Sequence, residues 1–207
     1  MFNLPANTEV NRPLPKKAIY AKFGLRPAQR DHFDEDISRL VISHEITSRS
    51  VPALATVDIS AIYVVTVMLK RRDYDRKNIE LLTRLIPQHM VMALVLDDQV
   101  QFAVLHERLF FSPWQLSDNA ILSLDGLNLD AAWQSLVTAI GGINIQGENT
   151  LTEQILADEQ REKLLKQIAA LENKMRTTKQ PRRKLELHQE IQKLKKFLEI
   201  SYISYKN

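Results

Sequence analysis

Residues 151–200 contain two stretches with the spacing of a coiled coil, and this pattern constrains the fold more than any other in the chain. In each stretch four apolar residues follow one another at steps of four, three and four, which places them on one face of a helix. They are Leu164, Ile168, Leu171 and Met175, and then Leu187, Ile191, Leu194 and Leu198. Two helices of this kind are expected to bury these faces against each other.

A short polar break separates the two stretches. It ends in Pro181, which disrupts the interior of a helix but fits the first turn of a new one. The sequence therefore predicts an antiparallel coiled-coil hairpin over residues 150–207, with a capping box formed by Thr150 and Glu153 at its start. Residues 141–149 contain three glycines and are predicted to link the hairpin to a globular domain of residues 1–145.

The globular part has the pattern of an α+β fold. Residues 57–69 are apolar at every odd position, which predicts a long central strand with its odd residues in the core. A helix capped by Asp73 or Asp75 and ended by Pro87 follows, and residues 90–96 then read as an apolar strand. A strand, helix and strand of this length predict a crossover that joins two parallel strands. We therefore expect a mixed β-sheet with one crossover helix.

Further boundaries complete this prediction. Short helices are expected after Pro15 and Pro27, and an amphipathic helix is expected after Asn128. Residues 40–46 and 100–106 read as additional strands, the second joined to residues 90–96 by a hairpin turn. The first fifteen residues contain three prolines and are predicted to form an extended arm.

Composition narrows the classes of protein to which the chain can belong. Hydrophobic residues make up 44% and charged residues 26%, as in ordinary folded domains. There is no apolar run long enough to span a membrane, and the first residues lack the basic and apolar segments of a secretory signal. We therefore expect a cytoplasmic protein without a membrane partner. Because the chain has no cysteine, disulfides, thiolate catalysis and cysteine-ligated zinc are excluded.

Positive charge is concentrated in the predicted hairpin. Residues 151–207 hold thirteen Lys and Arg against eight Asp and Glu, whereas the rest of the chain holds fifteen against seventeen. Six cations, without an acidic residue among them, surround the predicted hairpin tip: Lys174, Arg176, Lys179, Arg182, Arg183 and Lys184. Such a cluster binds a phosphate backbone or a protein partner in some proteins and only improves solubility in others. The sequence leaves these options open.

Motifs for cofactor or zinc chemistry are missing. The pairs His44-Glu45 and His106-Glu107 lack the second histidine of the zinc-protease pattern, and five scattered glycines do not form a phosphate-binding loop. We predict neither a cofactor nor a metal site.

Two residues remain as single candidates for a site. His89 precedes a buried strand, and Asp58 lies on the predicted long strand. Together they suggest an alternative function, a degenerate or active metal-dependent hydrolase related to nucleases. The strand that should supply a second carboxylate reads Tyr63–Lys70 and has none. Enzymatic activity is therefore left uncertain and is not the preferred interpretation.

Four short stretches carry a resemblance to a known family. They are residues 1–5 with 15–17, residues 86–89, residues 126–130, and the basic stretch 179–187. In these stretches the chain resembles an uncharacterised bacterial family catalogued as a domain of unknown function. The resemblance implies an accessory component encoded beside helicase and DNA methyltransferase genes in restriction or phage-defence clusters.

From the two apolar faces, the basic tip and the resemblance we predict a non-enzymatic accessory subunit of a bacterial DNA-processing or phage-defence complex. Its expected partner is a helicase-type or methyltransferase-type subunit. Binding of nucleic acid through the tip and self-association are left open.

Overall fold

The computed structural model describes residues 2–204, with side chains described as far as Leu198. The chain divides into two compact units, of which the first is Met1–Gly142 and the second begins at Ile143. The first unit contains a mixed β-sheet and the second contains two long helices that pack together. The predicted α+β class with a C-terminal helical hairpin is confirmed.

The sheet follows the order of the chain. Its strands are β1 Glu9–Pro13, β2 Ile37–Ile46, β3 Ile62–Leu69, β4 His89–Leu96, β5 Gln99–His106, β6 Arg108–Phe111 and β7 Gln115–Leu116. Strands β1 to β6 lie side by side in that order, and β7 pairs with β5. Only β3 and β4 are parallel; every other strand pair described is antiparallel. The predicted crossover between two parallel strands is therefore confirmed.

Four α-helices belong to the first unit: α1 Lys16–Phe23, α2 Pro27–Asp36, α3 Arg76–Leu82 and α4 Leu129–Gly141. Short 3-10 helices cover Ala6–Thr8 and Ser117–Asn119. The side chain of Asn128 caps α4 by accepting the backbone N–H of Ala131 at 2.7 Å. Gly142 ends the same helix with a φ of 59°, in the left-handed region that glycine adopts at little cost.

The main hydrophobic core lies between one face of the sheet and helices α1 to α3. It includes Ile19, Phe33, Val65, Ile79 and Met92, which come from five different elements. The other face of β3 is also buried, at Ile62 and Val64. Strand β3 is thus central, as predicted, and it is covered on both faces.

Two predicted boundaries are wrong. The long strand begins at Ile62, and Val57 is 62% exposed in the loop before it. Asp130 accepts the backbone N–H groups of Asp58 and Ile59 at 3.2 and 3.4 Å, so a side chain, and not a neighbouring strand, satisfies these donors. Helix α3 ends at Leu82, well before Pro87, because the chain tightens into a turn in which the N–H of Leu85 bonds to the carbonyl of Leu82.

The second unit is the predicted hairpin. Helix α5 covers Leu151–Thr177, helix α6 covers Pro181–Ser204, and the three residues 178–180 connect them. Thr150 and Glu153 form the expected capping box. All eight residues of the two apolar faces are buried or half-buried, with Ile168, Leu187 and Ile191 the most enclosed. Within the described residues, no helix is long and apolar enough to cross a membrane.

Candidate partner and nucleic-acid surfaces

The hairpin tip displays the cations that the sequence indicated. Lys174, Arg176, Lys179, Arg182, Arg183 and Lys184 are all exposed. The first turns of α6 bring Glu186 to 2.7 Å from Arg183 and to 3.7 Å from Arg182, so the cluster includes a carboxylate that the run of residues did not suggest. Exposed ion pairs of this kind are weak and leave the guanidinium groups accessible to a stronger anion. The tip remains strongly positive.

Apolar side chains outside the two predicted apolar faces are exposed on the same hairpin. Leu165 on α5 is 46% exposed and Leu185 on α6 is 59% exposed. The outward face of a coiled coil is ordinarily polar. Leu164, Leu171 and Leu194 on the inner faces are only half-buried. The hairpin therefore offers apolar area that a further helix of a partner can cover.

His89 lies at the amino ends of the parallel strands, whereas ligand sites usually form at their carboxyl ends. It is the first residue of β4 and pairs with Ile62, the first residue of β3. Its ring meets Trp133 edge-to-face with 4.6 Å between centroids, and burial, helped by His106 nearby, lowers its pKa. The side chain is half-enclosed in an aromatic contact.

Asp58 is not on a strand. Its side chain is exposed in the loop before β3. Among the residues that the structure describes, no three or more His, Asp and Glu side chains come together as a metal-binding group. Asp58 and His89 therefore do not gain, within that part of the chain, the ligands that the nuclease alternative requires.

The histidine–glutamate pairs have separate surroundings. His44 is buried on β2 and hydrogen-bonds Thr8 at 3.0 Å. His106 ends β5, and Glu107 is the single residue between β5 and β6, with a φ of 57°. His44 is therefore a structural histidine, buried and hydrogen-bonded within the fold.

A cleft of about 480 Å³ lies along β1, β2 and β3. It is lined by Asn11, Ser38, Arg39, Val41, Ser43, Thr66 and Met68. Thr66 donates a hydrogen bond to Ser43, which donates one to the carbonyl of Val64, so these two hydroxyl groups are already satisfied within the sheet. The cleft has no cluster of ionisable groups that would suggest catalysis.

A buried carboxylate that the sequence did not indicate organises the chain at the carboxyl end of β3. Asp36, the last residue of α2, is fully buried and accepts hydrogen bonds from Arg71 at 2.6 Å, from Asn78 at 2.7 Å and from the backbone N–H of Asp75 at 2.8 Å. These bonds fix the segment 70–75 between β3 and α3. The stretch 70–77 contains five Lys and Arg among eight residues, a charge signal that was visible in the sequence.

The comparison with family models identifies a family for this chain. The model described as a domain of unknown function, DUF4391, matches residues 2–198. No curated protein and no solved structure matches the chain. The matched region contains the sheet, α5 and most of α6. Because this match spans nearly the whole chain, the protein belongs to the DUF4391 family of unknown function.

Proposed function

We propose that the protein is a non-enzymatic accessory subunit that binds a protein partner through its helical hairpin, within a bacterial complex that processes DNA. The observation that carries the proposal is the pair of exposed leucines, Leu165 and Leu185, on a hairpin whose inner faces are only half-buried. Apolar area of this kind gains roughly 25 cal/mol per Å² when a partner covers it. A helicase-type or methyltransferase-type subunit of a restriction or phage-defence complex is the partner that the sequence resemblance supports.

The basic tip supports a role next to nucleic acid. Of its six exposed cations, Arg182 and Arg183 pair with Glu186, and Arg176 lies near Glu172, so the positive charges outnumber the described carboxylates around them. A phosphate backbone neutralises such a cluster and releases counterions, so binding at the tip is independent of sequence and weakens steeply as the salt concentration rises.

The partner proposal is tested by affinity capture from the source organism. Wild-type protein is compared with a variant carrying Leu165→Lys and Leu185→Lys, and with the control Leu127→Lys, which changes a leucine that is 86% exposed in the first unit. We expect wild type and control to retain the same partner and the hairpin variant to lose it. Retention of that partner by the hairpin variant would contradict binding through this surface.

The tip is tested separately, by the binding of labelled duplex DNA at low and at physiological salt. Arg182→Glu with Arg183→Glu should weaken binding about tenfold and reduce its dependence on salt. Equal affinities for wild type and variant would assign the tip to solubility or to the protein partner. Magnesium-dependent cleavage of the same DNA that is lost in Asp58→Ala would replace the accessory function with the hydrolase alternative.

A further inference from the structure

A second positively charged surface lies in the first unit, at the carboxyl end of β3. The segment that leads from β3 into α3 carries Lys70, Arg71 and Arg72, and α3 begins with Arg76 and Lys77. The same stretch contains two acids, the exposed Asp73 and Asp75, which pairs with His32, so its five cations remain in excess. The buried carboxylate of Asp36 accepts hydrogen bonds at both ends of this segment, from Arg71 and from the backbone of Asp75. The backbone that presents these cations is therefore held in one conformation.

Two of the arginines lie over aromatic rings, one at the end of β6 and one in the connection between β6 and β7. The guanidinium carbon of Arg72 is 5.3 Å from the ring centre of Trp114, and that of Arg76 is 4.7 Å from the ring centre of Phe111. Tyr74, between them in sequence, donates its hydroxyl to Gln101 at 2.8 Å, and burial raises its pKa to about 12, so it remains a donor at neutral pH. We call these five residues, Arg72, Tyr74, Arg76, Phe111 and Trp114, the arginine–aromatic surface.

Arg71 forms ion pairs with carboxylates, whereas Arg72 and Arg76 of this surface do not, among the described residues. Arg71 is neutralised by Asp36 at 2.6 Å and lies 3.8 Å from Glu35. Arg72 and Arg76 are exposed. Arg72 has instead a neutral acceptor, the side-chain oxygen of Gln99 at 3.2 Å. Their positive charge is thus available to an anion from outside the protein.

The chemistry of this pairing favours one class of ligand. A guanidinium group binds phosphate through two parallel N–H bonds and stacks against planar rings, including nucleic-acid bases. A ring beneath it holds the group in place, which lowers the entropy lost when a ligand binds. Phosphates and unpaired bases are both exposed in a single strand, whereas a duplex keeps its bases stacked inside and offers a protein surface mainly its backbone.

We propose that the arginine–aromatic surface is a binding site for single-stranded nucleic acid, with Arg72 and Arg76 bound to the phosphates and stacked against the bases. Lys77, exposed in the first turn of α3, adds charge next to Arg76. The site lies wholly within the first unit and does not depend on the hairpin or on the function proposed for it.

The proposal is tested with the full-length protein and three short labelled oligonucleotides: single-stranded DNA, single-stranded RNA and duplex DNA. Fluorescence anisotropy at low and physiological salt gives the affinities. Arg72→Glu with Arg76→Glu should weaken binding of a single strand about tenfold or more. The matched control is Lys17→Glu with Arg49→Glu, which makes the same change of charge at exposed positions elsewhere in the first unit and should leave the affinity within about twofold. The two single-stranded probes show whether the site distinguishes DNA from RNA.

A charge-conserving variant separates stacking from simple attraction. Arg72→Lys with Arg76→Lys keeps both charges but removes the planar groups, so affinity for a single strand should fall several-fold while its dependence on salt is retained. The tip variant Arg182→Glu with Arg183→Glu should retain the part of single-strand binding that Arg72 and Arg76 provide. Thermal unfolding confirms that each variant is folded.

Three results would overturn the inference. To exclude a contribution from the tip, they are measured in protein that carries Arg182→Glu and Arg183→Glu. They are equal single-strand affinity with and without Arg72→Glu and Arg76→Glu, tighter binding of the duplex than of either single strand, and undiminished affinity with Arg72→Lys and Arg76→Lys. If the wild-type protein binds none of the oligonucleotides, the inference is also wrong, and the arginines only pack against the rings. Failure of the hairpin or tip experiments leaves these outcomes unaffected.

Discussion

At the scale of single residues, the carboxylate of Asp36 connects α2 to residues 71–78, which are distant from it in sequence. It ends α2 and accepts hydrogen bonds from the loop after β3 and from Asn78 in α3. The sequence did not distinguish it, because Asp31, Asp34 and Glu35 precede it in the same polar helix. Only the tertiary fold shows which of these acids is buried.

Replacing Asp36 should destabilise the first unit. Asp36→Ala leaves a backbone N–H and the side chain of Asn78 without their acceptor inside the protein, so we expect a loss of roughly 3 kcal/mol in the free energy of unfolding. Urea denaturation followed by circular dichroism measures this. The control Glu35→Ala removes the exposed neighbouring acid and should cost less than about 0.5 kcal/mol. Equal effects of the two substitutions would show that the buried hydrogen bonds contribute little.

His44 is a second buried polar residue with a defined partner. The hydroxyl of Thr8 donates to the carbonyl of Pro5 at 2.7 Å, so its single hydrogen is used there. We infer that Nδ1 of His44 carries the proton and donates it to Thr8 at 3.0 Å. Burial lowers the pKa of this imidazole below its ordinary value of 6.5.

This lowered pKa predicts a loss of stability in acid. The unfolded chain takes up a proton near pH 6.5, whereas the folded state does so only at lower pH, so the free energy of unfolding is retained above pH 6.5 and falls as the pH drops below it. Urea denaturation at several pH values between 7.5 and 5 measures the slope. His44→Gln should make this slope shallower. An unchanged slope in His44→Gln would exclude His44 as its source.

At the scale of elements, the periodicity of apolar residues predicted the presence of helices and strands more accurately than it predicted their first and last residues. Residues 57–61 continue the apolar alternation of β3, yet they form a loop because Asp130 takes up the backbone donors of Asp58 and Ile59. No local pattern reveals a bond between residues so far apart. The start of α4 after Asn128 was predicted correctly because the capping side chain and its partner, the backbone N–H of Ala131, are neighbours in the chain.

The entry into α4 should be more sensitive to substitution than its exit. Gly126 has a φ of 132°, and a Cβ there would lie 2.5 Å from Cβ of Ala131, in a contact that cannot relax by side-chain rotation. Gly142 has a φ of 59° and open space around it. We expect Gly126→Ala to cost roughly 3 kcal/mol and Gly142→Ala about 1 kcal/mol in chemical denaturation. Similar costs at the two positions would contradict the steric explanation.

At the scale of the whole molecule, each of the two units is formed by one continuous stretch of the chain. The residues of the main core all come from the first unit, between Ile19 and Ala103. A chain of residues 1–142 should therefore remain soluble and unfold in one cooperative step. Calorimetry of this truncated chain beside the full-length protein measures it. Aggregation of the truncated chain, or loss of a cooperative transition, would show that the hairpin is required for the first unit to fold.

The two candidate nucleic-acid surfaces differ in how far the sequence could predict them. The hairpin tip was predictable because its cations are close together in the chain and flank a helix break. The arginine–aromatic surface was not, because Arg72 and Trp114 are brought together only by the pairing of β3 to β6 within one sheet. The basic stretch 70–77 was visible, but its rings and its buried carboxylate belong to other elements.

The first strand has a consequence for how copies of this protein behave at high concentration. Strand β1 lies at one end of the sheet and is exposed along its whole length. Its pairing with β2 shifts register between Glu9 and Arg12, Asn11 has a φ of 45°, and Pro13 has no N–H to donate. A strand from another molecule would meet a bent template with a missing donor, so amyloid-like growth from this edge is disfavoured.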